Sequence, residues 1–243
     1  MEGMIFSAGY GTRLQPLTNS IPKALVEVNS ITLLEHNILK MISYGIKHIV
    51  INVHHLSEMI IQHIEKKNYP AQILISYEEE LLDTSGGLFK ARDLFSGKHD
   101  ILVHNVDILS FIDFLELENH HKANKSLSTL CVSKRNTSRY LLFNSLGQLS
   151  GWENIKTNER IISNPSEEYN QLAFSGIQII KPELIQYLNP KGSIIPCLLE
   201  ISKTNKISNF IHDKDIWLDV GTPKALIKAQ DFYTNKPNKK ADL

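Results

Sequence analysis

Between Met4 and Tyr77 the spacing of apolar residues switches repeatedly between two periods, and this alternation restricts the fold more than any other feature of the chain. Met4-Ile5-Phe6, His48–Val53 and Gln72–Tyr77 are short apolar runs of strand length. Residues 32–44 carry Leu34, Ile38, Met41 and Ile42 at helical spacing, with Thr32 and Glu35 placed as a capping box and Gly45 as the stop. Residues 57–67 repeat that amphipathic pattern. A strand that returns through a helix runs parallel to its predecessor, so βαβαβ implies a parallel sheet covered on both faces. Ligands of such sheets bind at the carboxyl ends of the strands.

The remaining pattern extends this plan. Glu78-Glu79-Glu80-Leu81-Leu82-Asp83-Thr84-Ser85-Gly86-Gly87 leads into an expected helix over 88–95, with both glycines at its start, where a ring could pack closely. A fourth strand over 100–106 ends in Asn105-Val106-Asp107, and Ser110 with Asp113 is placed to cap the next helix. From Ser126 the runs shorten: strands are expected over 127–133, Arg139–Phe143 and 149–153, a mixed or antiparallel extension that closes over the strand ends, with 159–170 as a polar loop. Strand 172–180, helical segments 182–188 and 193–203, and strands 206–212 and 216–218 return to the sheet. Thr222 as N-cap and Pro223 at the first position then open the last helix. The chain reads as one domain over 1–234, divided into halves at 125/126, with 235–243 as a flexible tail.

At the end of the first strand lies Ser7-Ala8-Gly9-Tyr10-Gly11-Thr12-Arg13-Leu14-Gln15-Pro16-Leu17-Thr18, followed by Ile21-Pro22-Lys23-Ala24-Leu25. Glycines let the backbone turn sharply and bring N–H groups close to an anion. Thr12 adds a hydroxyl, Arg13 a bidentate guanidinium and Lys23 a second cation, a set that suits a triphosphate. The stretch fits neither the P-loop nor the dinucleotide G-x-G-x-x-G pattern.

The composition narrows the partners. With 243 residues, 42% of them hydrophobic, the chain can bury a full core. Twenty-six basic and 26 acidic side chains cancel, which gives no electrostatic case for nucleic acid or an anionic membrane. There is no basic leader and no apolar run of the roughly 20 residues that span a bilayer, so the expected location is the cytoplasm. Cys131 and Cys197 fit there as isolated thiols. The adjacent pairs His54-His55 and His120-His121 diverge in any regular structure and offer no zinc spacing.

The long form, strand then G-x-G-T-R-L-x-P-L-T then P-K-A-L, resembles the signature of the sugar-1-phosphate nucleotidyltransferases, and the resemblance runs from Gly3 to about Phe232. It implies a Rossmann-like three-layer α/β/α sandwich with a mixed, mainly parallel central sheet and a small antiparallel sugar-binding extension. It also implies NMP transfer from UTP or GTP to a sugar 1-phosphate for cell-wall or surface polysaccharide precursors. Arg13 and Lys23 would act on the phosphates, and Ala8, Gly9, Gly11 and Thr12 would cradle them. Glu78 stands where the family reads the base, and Gly86 where the backbone meets it. Asp107 and Asp219, the latter in Trp217-Leu218-Asp219-Val220-Gly221-Thr222, match the pair that holds Mg²⁺, although the first Asp of the family usually follows Gly and here follows Val106. Glu153 resembles the Glu of a Glu-Lys pair that holds the sugar and its phosphate. Asn154 replaces that Lys, with Lys156 as the candidate substitute if the strand continues. Phe174-Ser175-Gly176-Ile177 matches the strand whose glycine admits the sugar.

In length, with no β-helix appended, the chain is most similar to the short bacterial N-acetylmuramate 1-phosphate uridylyltransferases and the mannose- or heptose-1-phosphate guanylyltransferases. A monomer or homodimer is expected. Two alternatives stay open: a transferase of the same fold using CTP and phosphocholine, and a non-catalytic nucleotide-sugar-sensing subunit.

Overall fold

The computed structural model describes residues 1–235, so all of the expected tail except Asn235 lies outside the described residues. In chain order the elements are β1 (Glu2–Phe6), β2 (Glu27–Val28), β3 (Ile31–Thr32), α1 (Leu33–Ser43), β4 (His48–Val53), α2 (Ser57–Glu65), β5 (Gln72–Tyr77), α3 (Asp83–Lys90), β6 (Ile101–Asn105), β7 (Ile108–Ser110) and α4 (Phe114–Asn124). They continue with β8 (Ser128–Ser133), β9 (Arg139–Phe143), β10 (Leu149–Asn154), β11 (Glu159–Ile162), β12 (Asn170–Ile180), α5 (Ile194–Ser202), β13 (Ile207–Ile211), β14 (Trp217–Asp219) and α6 (Pro223–Asn235).

β1 pairs in parallel with both β4 and β6, and β5 pairs in parallel with β4, which sets the order β5-β4-β1-β6. β12 lies antiparallel to β6. β8 runs antiparallel to β12 on its other edge, and β13 runs parallel to β8. The central sheet is therefore mixed and mainly parallel, with β12 running against the others. The N-terminal half of β12 also pairs with β9, and β9, β10 and β11 form an antiparallel extension above the end of β6.

Strand alternation sorts the core into two faces. Ile5, Ile49, Ile51 and Leu102 pack with Leu34 and Ile38 of α1, Phe114 and Leu117 of α4, and Ala229 and Tyr233 of α6. Met4, Val50, Ile101 and Val103 pack on the opposite face with Leu88 of α3 and Cys197 and Leu198 of α5. The strand residues of both sets are 0–2% exposed, and each such side chain contributes on the order of 2 kcal/mol to burial. α1 begins as its capping box implies, with the Glu35 N–H donating to Thr32 Oγ1 at 3.1 Å. No described helix is long and apolar enough to cross a membrane.

Several boundaries differ from the expectations. The helix placed at 88–95 begins at Asp83, so Gly86 and Gly87 lie inside α3, and Ala91–Leu94 is a 3-10 turn. The loop placed at 159–170 contains β11 and the start of β12. β14 does not join the central sheet but pairs antiparallel with β7. Asp113 alone caps α4, accepting from the Leu115 and Glu116 N–H groups at 2.8 and 3.2 Å. Ser110 instead receives Lys40, whose ammonium donates to the Ser110 carbonyl and, at 3.2 Å, to its hydroxyl.

Candidate active site

The strand ends β6, β1 and β4 and the segment after β5 enclose a cavity of about 240 Å³, as the parallel order requires. Its lining includes Ser7, Ala8 and Gly9 after β1, Asn52 of β4, Leu81, Asp83 and Thr84 before and within α3, Asn105 to Asp107 after β6, and Lys23. The glycine loop is fixed at both ends. The Ser7 N–H donates to Asn52 Oδ1 at 2.8 Å, and the Thr18 hydroxyl donates to the Gly11 carbonyl at 2.8 Å. Gly11 is left-handed (φ 66°) and caps the turn Thr12–Leu14, which carries Arg13.

Four charged side chains from separate parts of the chain meet at the rim. Arg13 Nη2 lies 3.3 Å from Asp107 Oδ2, and its Nη1 lies 3.8 Å from Asp219 Oδ2. Lys23, on the turn Lys23–Leu25 set by the extended Pro22, donates directly to Asp107 Oδ2. The two aspartates are neighbours because β14 pairs with β7 and places Asp219 opposite Ile108, while the Val220 N–H donates to the Asp107 carbonyl at 2.8 Å. Asp219 is oriented by the Gly221 N–H, which donates to its Oδ1 at 2.8 Å. Gly221 was not anticipated as a site residue. A Cβ there would lie 2.5 Å from Arg13 Nη2 and 2.7 Å from Asp219 Oδ1, so the guanidinium packs on its bare backbone.

This donor set fits Mg²⁺. Both Oδ2 atoms face one cationic group, and Mg²⁺ is commonly held by one or two carboxylates plus substrate phosphates. Among the described residues no cluster of three or more His, Cys, Asp or Glu could hold an ion from protein ligands alone, so phosphate oxygens would have to complete the shell.

The base-side expectations need correction. Glu78 is fully buried and does not line the cavity. Its Oε1 accepts from Asn52 Nδ2 at 2.7 Å and its Oε2 from the Leu82 N–H at 3.0 Å. Because Asn52 in turn receives the Ser7 N–H, Glu78 positions the glycine loop through Asn52. Gly86 faces away from the cavity: a Cβ there would lie 2.5 Å from the Pro190 carbonyl oxygen, and one on Gly87 would lie 2.8 Å from Asn52 Nδ2 and Glu78 Oε1. The glycine pair thus lets α3 pack closely on both sides, which offsets the roughly 1 kcal/mol that each costs inside a helix.

In the antiparallel extension, Glu153 of β10 accepts from Gln171 Nε2 and lies 3.7 Å from Arg160 Nε. Gly176 sits at the irregularity of β12 with φ 73°, and a Cβ there would meet Asn105 Nδ2 at 2.8 Å. Its bareness serves the backbone and Asn105 of the cavity wall. The strand ends at Asn154, so Lys156 does not point from a continuing strand. It is exposed in the following turn, with its N–H donating to Asn154 Oδ1 at 3.1 Å. A better-held cation is Arg135. Its guanidinium lies 4.4 Å over the Trp217 ring and donates to the Phe174 carbonyl. Burial lowers its pKa, and nearby Asp219 opposes that shift.

A profile of the family described as "Nucleotidyl transferase" matches residues 2–236. The mannose-1-phosphate guanyltransferase of Schizosaccharomyces pombe is 29% identical over 247 residues, covering 98% of this chain and 66% of its own length. Mannose-1-phosphate guanyltransferase 2 of Candida glabrata is 30% identical over 239 residues, covering 96% and 64%. The chain thus spans slightly less than two thirds of these relatives. Among solved structures, HddC from Yersinia pseudotuberculosis complexed with GMP-PN superposes with a TM-score of 0.78 at 19% identity, over 96% of this chain and 99% of that one. UDP-glucose pyrophosphorylase from Acinetobacter baumanii superposes with a TM-score of 0.80 at 15% identity, over 98% and 94%. At these identities the two structures establish the fold.

Proposed function

Since the chain belongs to the nucleotidyl transferase family, we propose that it transfers a nucleoside monophosphate from a nucleoside triphosphate to a sugar 1-phosphate. The convergence of Arg13 and Lys23 on Asp107 and Asp219 at the cavity rim carries this reading. A phosphate oxygen of the sugar 1-phosphate attacks the α-phosphorus. The bond from that phosphorus to the bridging oxygen breaks, and its electron pair leaves with pyrophosphate. Such chemistry rests on positioning and charge neutralisation and requires no covalent enzyme intermediate.

Arg13 and Lys23 bind the triphosphate oxygens and offset the charge that develops on the leaving group. The N–H groups of Ala8 and Gly9 donate to phosphate along the loop, which the bond from the Ser7 N–H to Asn52 Oδ1 holds in place. Mg²⁺ on Asp107 and Asp219 would supply Lewis-acid polarisation of a phosphoryl oxygen. Glu153, Gly176 and Arg135 border the acceptor, and Arg135 is assigned the acceptor phosphate in preference to Lys156, because its guanidinium is already fixed near Asp219. A non-catalytic sensor would have no need of all four charged groups at one point.

The names of the curated relatives make GTP with mannose 1-phosphate the first pair to test, and the resemblance to short uridylyltransferases makes UTP with N-acetylmuramate 1-phosphate the second. Residues 1–125 serve the nucleotide and 126–234 the sugar. The reading places the chain in the cytoplasm, where nucleoside triphosphates are held, as a monomer or homodimer acting on small molecules. The test incubates the protein with Mg²⁺, each of the four NTPs and a panel of sugar 1-phosphates while pyrophosphate is followed. Release that needs both substrates supports the assignment, and release from no pair refutes it.

A further inference from the structure

The cavity has a direction. Its lining runs from Asp107 and Lys23 near the end of β6, over the loop after β1, past Asn52 of β4, to Leu81, Asp83 and Thr84 at the start of α3. The cationic side chains and the start of α3 thus stand on opposite sides of the loop after β1. If phosphates occupy the cationic end, the base lies against the start of α3.

At that end most polar side chains are already engaged. Asn52 uses Oδ1 for Ser7 and Nδ2 for Glu78, and the Thr84 hydroxyl accepts the Ile194 N–H at 2.9 Å. Asp83 differs. Its Oδ1 accepts the Thr84 N–H at 2.7 Å, whereas its other oxygen has no hydrogen-bond partner among the described residues, and the residue is exposed and lines the cavity. Asp83 also holds a left-handed backbone (φ 60°), a conformation that glycine would adopt without strain.

Resting on the transferase reading above, we propose that Asp83 reads the base, its free carboxylate oxygen accepting the ring N–H of guanine or uracil. A carboxylate only accepts. Guanine offers two adjacent donors, N1–H and the exocyclic N–H, and uracil offers N3–H. Adenine N1 and cytosine N3 present a lone pair, which the carboxylate repels, where guanine and uracil present the ring N–H, and leave only the exocyclic amino group as a donor. Asp83 therefore selects GTP first and UTP second, and rejects ATP and CTP by an unfavourable contact.

The test measures direct binding of GTP, UTP, ATP and CTP to the full chain in Mg²⁺ buffer by calorimetry, with no sugar present, alongside thermal melting. The parent should bind GTP and UTP at least roughly 10-fold more tightly than ATP and CTP, the scale of one charged hydrogen bond. Asp83→Asn can turn an amide N–H toward adenine N1 or cytosine N3, and should bring that ratio below about threefold. Asp83→Gly should flatten the ratio as well while melting higher without nucleotide. Parental preference for ATP or CTP, or an unchanged ratio in both variants, overturns the assignment while leaving the transferase reading intact. Binding of no triphosphate overturns both.

Discussion

Substituting Gly221 by alanine separates the organisation of the site from the stability of the fold. The new Cβ would lie 2.5 Å from Arg13 Nη2, 2.8 Å from Arg13 Cζ and 2.7 Å from Asp219 Oδ1. Ordinary contact needs close to 3.5 Å, so the guanidinium must retreat by about 1 Å. A displacement of that size at a reacting centre costs on the order of 100-fold in rate. Arg13 is a flexible side chain, 58% exposed, and Gly221 does not have a left-handed φ, so the fold absorbs the change easily. Loss of backbone freedom in the unfolded chain contributes about 0.4–1 kcal/mol in the opposite direction. Gly221→Ala should therefore lower kcat about 100-fold while Tm stays within about 3 °C of the parent. In an Arg13→Ala background the same change should cost less than in the parent, because the clash with the guanidinium is gone and only that with Asp219 Oδ1 remains. Turnover within threefold of the parent, or full additivity in the double variant, would refute the placement of Arg13 against Gly221.

Asp107→Asn and Asp219→Asn should each reduce turnover by on the order of 100-fold or more in Mg²⁺ and leave the far-ultraviolet dichroism unchanged; near-parental rates in both would remove the metal assignment. Glu78→Gln should weaken all four triphosphates alike, since it sets an amide donor or a weaker acceptor against the Leu82 N–H and disturbs Asn52; a change in base preference would return Glu78 to the base pocket. Arg135→Ala should raise KM for the sugar 1-phosphate at least several-fold and leave KM for the NTP unchanged, whereas Lys156→Ala should alter neither; kinetic titrations of both substrates distinguish them. Burial pushes the Lys40 ammonium down to about 7, below its value in the unfolded chain, so the unfolded state binds more protons between pH 7 and 10 and stability rises with pH across that window. Urea midpoints at pH 7 and 9 should show the rise in the parent and lose it in Lys40→Met.

Period carried the sheet-and-helix plan into the sequence. Ile5, Ile49 and Ile51 face one layer, and Met4 and Val50 face the other, as continuous apolar runs in a doubly covered sheet require. Asp107 and Asp219 follow or end short strands, whereas Arg13 and Lys23 lie on turns well after β1, and the roles expected of all four come from the resemblance and not from period. What pattern could not show was burial of a charge. Glu78 heads an acidic run that looks solvated, yet it folds inward because Asn52 Nδ2 and the Leu82 N–H need an acceptor. Gly86 and Gly87 look the same whether they open a helix or permit close packing within one, and only the positions of Pro190 and Asn52 decide. β7 and β14 are three residues each, too short for any period, although their pairing is what brings the two aspartates together. Gly221 was hidden inside a helix-entry motif. Lys156 was misplaced because Asn154 ends the strand with a side-chain turn to its backbone N–H.

The most direct test of the transfer itself uses GTP and UTP labelled with ³²P at either the α or the γ position, incubated with the protein, Mg²⁺ and the sugar 1-phosphate that supports pyrophosphate release. The account predicts that the α label appears in the nucleotide sugar and the γ label in pyrophosphate, with both products formed on the order of 100-fold or more slowly by Asp219→Asn. Appearance of the γ label on the sugar, or of the γ label as inorganic phosphate without sugar, would contradict it.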